Sequence, residues 1–379
     1  MTKHDYETHR RQIAAIFRAW GMPTENADHT SRVLAWADLH GIESHGIALL
    51  VEYNERRRSR TINFASKPAV VRETPVSALV DGDGGLGHVP ATFAMSLAVA
   101  KAKAAGVGIV SVRNSGHFGA LGYFTTMAAE AGLFGIATTS VFGVRVPPTG
   151  GGKARLGTDP WSFAAPGADG LPFVLDMATT TVASGKVRNK IVEGQEMPAG
   201  WGLDRTGRPT LDPSEVMDGG FLSPLGGAGG GHKGYGLAVM VNILASCLSG
   251  ATLITDPMHT RQPKGLDVGH FFMALDPGLF RDVADFRGDV ARLCDDLRAT
   301  PPIDPDRPVL VAGDPERAVR AERSASGVPI GPGLIRRLRE IAVASGAEWV
   351  MQEVAAAAPA APAGGDASPP SSSRSGENC

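Results

Sequence analysis

Arg113-Asn114-Ser115-Gly116-His117-Phe118-Gly119 is the stretch from which the fold of this sequence is read. An apolar, β-branched run over 107–112 leads into it, and a small-residue helical pattern over about 120–131 leads out. It is therefore a strand-to-helix loop, and open α/β sheets place their ligands at the carboxyl ends of such strands. His117 can exchange a proton near neutral pH, and Gly116 and Gly119 let a ligand come close. The plain alternative is a polar turn with a hydrogen-bonded histidine.

Upstream, the spacing of Ile13, Ile16, Phe17 and Trp20 predicts a helix over 6–20, stopped by Gly21 and Pro23. A second helix follows from a Thr24 cap to Gly41, then Ser44-His45-Gly46, then a third helical pattern. The glycine-flanked Ser44 and His45 sit at a helix start; the plain alternative is that Ser44 caps the helix and His45 is a surface residue. A strand is expected over 76–81, followed by Gly82-Asp83-Gly84-Gly85-Leu86-Gly87 and a helix over 90–105. The glycines spell a dinucleotide fingerprint. Asp81 and Asp83 would face a pyrophosphate there without a cation, and Arg113 ends the next strand where an acidic ribose partner belongs. A 2′-phosphate would suit Arg113, so that reading stays open.

Downstream, strands are expected over 134–141, 172–176, 268–274 and 309–312. Asp176-Met177-Ala178-Thr179-Thr180-Thr181 reads as the start of a helix running to about 192, with hydroxyls and free amides suited to a phosphate or simply to capping. The run Gly226-Gly227-Ala228-Gly229-Gly230-Gly231-His232-Lys233-Gly234 reads as a flexible glycine loop with a cation at a helix start. Helices are expected over 279–298, with Val283, Phe286, Val290 and Leu293 inward, and over 335–343. Residues 355–379 are Ala, Pro, Ser and Gly without periodicity and read as a disordered tail.

The chain has 379 residues, 43% hydrophobic and 20% charged, with net charge −2, which gives no basic surface for nucleic acid. Three dispersed cysteines fit neither a disulfide framework nor a Cys metal cluster, and no H-x-E or H-E-x-x-H motif points to a metal. No signal peptide and no apolar run of about 20 residues is present, which fits a cytoplasmic protein without a membrane span.

Taken together, Ser44-His45-Gly46, Asp81-Gly82, Arg113 to Gly119, Gly157-Thr158-Asp159-Pro160, Asp176-Met177-Ala178-Thr179, Pro198-Ala199-Gly200-Trp201, Pro224 to Gly227 and Lys233 to Leu237 resemble, in order, the malate/L-lactate dehydrogenase family of the second type. The resemblance spans about residues 5–350. It implies a homodimeric α/β protein with a mixed sheet, an N-terminal helical region and its own NAD(P)-binding arrangement distinct from the Rossmann fold. The expected division is 1–75, helical and carrying Ser44-His45; 76–354, catalytic and cofactor-binding; and the tail. The implied activity is hydride transfer between NAD or NADP and a 2-oxo/2-hydroxy acid such as malate, lactate or sulfolactate. Cyclic imino-acid reduction and a catalytically silent binding protein are the alternatives.

By the same resemblance His45 matches the proton donor, His117 an alternative acid/base, and Asp176 a carboxylate orienting the donor. Ser44, Leu49, Arg113 and Thr158 fall at substrate-binding positions. Asp176, Met177, Ala178, Thr179, Thr180, His232, Lys233, Gly313, Asp314 and Pro315 fall in stretches that contact the cofactor. One departure stands out. The family pattern Ser-His-Gly-x-x-Arg ends here in Leu49, so the arginine that grips a substrate carboxylate is missing. Val141 and Asp159 replace two asparagines common in the family. Either another cation, such as Arg145 or Arg155, replaces the clamp, or the substrate is not an ordinary small 2-oxo acid; poor turnover of pyruvate and oxaloacetate is expected.

Overall fold

In the computed structural model, which describes residues 1–256 and 267–351, one sheet of seven strands carries the site. Its strands are β1 (Ala69–Glu73), β2 (Ser77–Asp81), β3 (Val107–Ser115), β4 (Phe134–Thr139), β5 (Trp161–Ala165), β6 (Phe173–Met177) and β7 (Val268–Leu275), in the order β1-β2-β3-β7-β4-β5-β6. Only β2 and β3 run parallel, with Asp81 opposite Arg113; every other pairing in the sheet is antiparallel. The sheet is mixed, as expected. A parallel pair needs a crossover, and helix His88–Ala105 supplies it.

The helices of ten residues or more are α1 (Tyr6–Ala19), α2 (Thr24–Leu39), α3 (Leu49–Arg58), α4 (His88–Ala105), α5 (Leu121–Glu130), α6 (Ser184–Glu193), α7 (Gly227–Asn242), α8 (Val283–Arg298), α9 (Asp314–Ser326) and α10 (Pro332–Ser345). α4 presents Ala91, Ala94, Met95, Ala98 and Ala102 to the sheet, a helical spacing of buried small side chains. That allows very close contact: a Cβ on Gly108 of β3 would lie 2.0 Å from the Ala98 carbonyl oxygen. Val110, Val112, Phe118, Phe124 and Phe272 fill the core between the sheet and α4–α5.

A second core joins α1–α3 to the far end of the chain. Phe17, Trp20, Leu50, Tyr53 and Phe64 pack with Leu338 and Ile341 of α10. The N-terminal strand Thr2–His4 pairs with Val328–Ile330. A third cluster, including Val146, Val187, Val216 and Leu222, surrounds a small three-stranded sheet over residues 202–222.

Several local expectations change. β1 and β5 were not anticipated: β1 is exposed along its length, and β5 is a five-residue antiparallel strand whose apolar run is short. Residues 309–312 form no strand. The helix expected to begin at the threonines begins at Ser184 instead, because Thr179 and Thr181 bond across to Thr158 and Ser223. The glycine run is not a loop: Gly227–Asn242 is helical, and a Cβ at Gly234 would meet the Leu225 backbone at 2.4 Å. α8 turns Cys294 inward and leaves Leu293 61% exposed. The tail at 355–379 lies outside the described residues. Among the described residues, no helix is long and apolar enough to cross a membrane.

Candidate active site

Two loops bring the histidines together. α2 ends at Leu39 and a short 3₁₀ turn, Glu43–His45, precedes α3. This turn is held from beneath by Asp38, whose carboxylate accepts the Ile47 N–H at 2.7 Å and bonds His9 Nε2 at 2.7 Å. Gly46 is required there, because a Cβ would lie 1.8 Å from Asp38 Oδ1. Arg323 of α9 clamps the turn from outside, bonding the Asp38 carbonyl and the Glu43 carboxylate.

The second loop follows β3. Its backbone leans on the first glycine run: the N–H groups of Gly82, Gly84 and Gly87 donate to the carbonyls of Arg113, Asn114 and His117. Those amides are consumed by protein, so the run supports the His117 loop and has none of these three to offer a phosphate. A Cβ at Gly87 would lie 2.1 Å from the Gly116 carbonyl oxygen.

The rings of His45 and His117 stack with centroids 5.6 Å apart and planes 26° from parallel. Ser44 Oγ bonds His45 Nδ1 at 2.8 Å. Tyr53 Oη, on α3, bonds His117 Nδ1 at 2.7 Å. Burial lowers the pKa of His45, with Glu52 pulling the other way. Burial lowers His117 well below the usual imidazole range, and neighbouring His45, His88, Arg56 and His270 add to that. Both rings are therefore neutral near pH 7.

Both face a cavity of about 1240 Å³. Ser44, Arg56, Thr139, Val141, Arg145 and Thr158 also line it. So do Asp176, Met177 and Ala178 at the end of β6, Ser184, Lys186 and Arg188 of α6, and Gly313, Pro315, Arg317 and Arg320 at the start of α9. Trp36 and His40 stack at 4.0 Å along one wall. The volume exceeds the roughly 300–1,000 Å³ of a site for one drug-sized molecule.

Asp176 shares the cavity but not the expected role. Its Oδ2 accepts the Gly122 N–H at 2.7 Å, at the start of α5, rather than an imidazole. The side chain is open to the cavity, and desolvation there raises its pKa to about 6, with Glu316 adding to the rise and the Gly122 and Leu121 N–H groups opposing it.

A family model for malate/L-lactate dehydrogenase matches residues 4–339. The chain belongs to the malate/L-lactate dehydrogenase family. It is 40% identical over 339 residues to a malate dehydrogenase of Pyrococcus horikoshii, covering 89% of this chain and 93% of that one. It is 35% identical over 337 residues to a malate/(S)-sulfolactate dehydrogenase of Methanothermus fervidus, covering 89% and 96%. The crystal structure of malate dehydrogenase from Entamoeba histolytica superposes with a TM-score of 0.88 at 31% identity, covering 92% of this chain and 99% of that one.

Within this family frame, several expected site residues lie elsewhere. Leu49 is partly buried against the α1–α3 core and does not line the cavity. Arg113 pairs with Asp81 across β2–β3 at 3.6 Å, since the strand continues through Ser115 and turns the side chain away. Thr179 and Thr180 are buried behind the wall. His232 and Lys233 are exposed on α7, inside a helix, and do not reach the cavity. Asp314 pairs with Arg298 and Arg317 while its neighbours Gly313 and Pro315 face inward. Of the two cations expected to replace the clamp, Arg145 lines the cavity and Arg155 is exposed outside it. Sequence reasoning missed Tyr53, Arg56, Lys186, Arg188, Arg317 and Arg320. Arg56 had one signal: it follows Leu49 by two helical turns and shares its face.

Proposed function

We propose that this protein is an NAD(P)-dependent oxidoreductase of 2-hydroxy and 2-oxo acids. The observation that carries the reading is the stacked His45–His117 pair at one cavity that also holds the start of α6. That helix start has no side-chain cap, and Ala183, Ser184, Lys186 and Arg188 line the cavity beside it. Free amides with two cations suit the diphosphate of a dinucleotide. When bound, the nicotinamide supplies or takes the hydride.

The chain's own residues do the rest. The two imidazoles bracket the oxygen of the reacting carbon, where proton exchange with a positioned imidazole is worth about 10²–10⁴-fold in rate. Arg56 holds the substrate carboxylate in place of the arginine absent at position 49. It lines the cavity with the histidines, and its present partner, Glu52, is itself a carboxylate. Val141 leaves an apolar wall where the family commonly has an amide.

The test follows reduced-nicotinamide absorbance across a panel of 2-hydroxy and 2-oxo acids with both nucleotides. Turnover of at least one acid is expected, with pyruvate and oxaloacetate slow relative to a dedicated lactate or malate enzyme. No turnover of any acid would leave a cyclic imino-acid reductase or a binding protein. The homodimer is supported by the outer face of α7 and its continuation, where Ile243 is 54% and Leu248 57% exposed. Sedimentation at twice the 39.4 kDa chain mass is expected.

A further inference from the structure

The two histidines are held by different kinds of partner. His45 leans on Ser44, whose hydroxyl is exposed and can point its hydrogen at water. His117 leans on Tyr53, which is 0% exposed. Around the Tyr53 hydroxyl, His117 Nδ1 is the one hydrogen-bond partner among the described residues. The nearby His88 ring stands edge-on to the Tyr53 ring at 5.7 Å and makes no hydrogen bond through either nitrogen.

A phenol hydrogen buried without an acceptor is disfavoured, so Tyr53 donates and His117 Nδ1 accepts. A neutral His117 then carries its proton on Nε2. We infer that Tyr53 fixes His117 as an Nε2–H donor, and that His45 alone exchanges the substrate proton. This rests on the oxidoreductase reading of the cavity.

The division of labour balances. In the oxidising direction the substrate O–H bond breaks and its proton passes to Nε2 of His45. The C–H electron pair leaves as the hydride to the oxidised nicotinamide nucleotide. His45 accepts at Nε2 because its Nδ1–H donates to Ser44 Oγ. His117 donates Nε2–H to the same substrate oxygen throughout, and it cannot serve as a base because its second nitrogen is occupied. Passing a proton on from Tyr53 would leave a buried phenolate, which the apolar surroundings oppose. Of the charged groups of α3, Arg56 acts electrostatically on His117 and Glu52 on His45. Tyr53 is a positioning residue: it acts on the substrate only through His117.

The test uses full-length protein with ¹⁵N-labelled histidine and long-range ¹H–¹⁵N spectra, with His117→Gln identifying the His117 signals. The expected wild-type spectrum shows His117 protonated at Nε2 and bare at Nδ1, and Tyr53→Phe gives a mixture of tautomers. Nδ1–H in the wild type would overturn the inference, and that spectrum needs no variant to fold differently. Kinetics give the second arm. His117→Gln keeps the acid limb of kcat/KM for hydroxy-acid oxidation with a reduced plateau, about 10²–10³-fold lower as for other lost oxyanion donors. His45→Gln loses that limb. Loss of the limb in His117→Gln and its survival in His45→Gln would also overturn the inference. A chain that oxidises no hydroxy acid defeats the oxidoreductase reading, while the tautomer spectrum still decides the role of Tyr53.

Discussion

A neutral imidazole serves oxidation as a base, and the sign of the shift at His45 sets when. Its pKa is lowered by burial. The ring is therefore competent above its lowered pKa and is lost as an acceptor below it. Oxidation rates are expected to hold level through pH 7 and to fall only below the usual imidazole value of about 6.5. A pH profile of kcat/KM checks this, and a limb centred above 7 contradicts it. Arg56 gives the second residue-scale prediction. Arg56→Gln removes a charge-assisted hydrogen bond of about 1.5–3 kcal/mol, so KM for the acid should rise roughly 10- to 100-fold with kcat changed less. Ser44-His45 and His117 were legible in the sequence because glycines flank them at element ends. Arg56 was not, because a cation on a helix reads as a solvated face until the cavity beside it is known.

At the scale of the element, the turn between α2 and α3 depends on Asp38 more than on its own residues. The Asp38 carboxylate takes the place of a helix cap for Ile47, and His9 of α1 fixes its other contact. Gly46→Ala would force that carboxylate aside, since the added carbon falls 1.8 Å from it. The expected cost is about 1–3 kcal/mol of stability by denaturant unfolding, together with loss of activity as the His45 ring moves. Unchanged kcat in a folded Gly46→Ala protein would contradict the support assigned to Asp38. Both glycine runs illustrate why spacing misleads. Gly82 to Gly87 spends its amides on the His117 loop, and Gly227 to Gly236 lies within a helix packed on Leu225. In each, glycine answers a close backbone approach rather than a phosphate.

For the molecule as a whole, stability should depend on a carboxyl that forms no ion pair among the described residues. Asp159 is 0% exposed, its Oδ2 accepts the Gly157 N–H, and the Asn242 side chain favours its charged form. Burial raises its pKa to about 7. Between its ordinary value near 4 and about 7, the folded chain binds the proton that the unfolded chain has released, so stability falls as pH rises through that window and levels off above it. Asp159→Asn, the residue common in the family at this position, is expected to flatten that fall. At pH 8 it should raise stability by about 1–4 kcal/mol, read from urea unfolding at pH 5 and pH 8. Equal stability of the two proteins at both pH values would contradict it.

By itself the sequence determined the α/β class, the βαβ unit around β3, the amphipathic helices at the N-terminus and the family, because periodicity and short ordered motifs are local properties of a chain. It also showed that the arginine at position 49 is gone. Only the tertiary structure decided that His45 and His117 stack, that Asp176 caps α5 instead of an imidazole, that Arg113 turns to Asp81, and that Tyr53 and Arg56 face the site. These depend on contacts between residues distant along the chain, such as Asp38 beneath Gly46 and α10 closing the N-terminal core. Packing sets those contacts, and no local pattern encodes the direction in which a side chain will point once two elements meet.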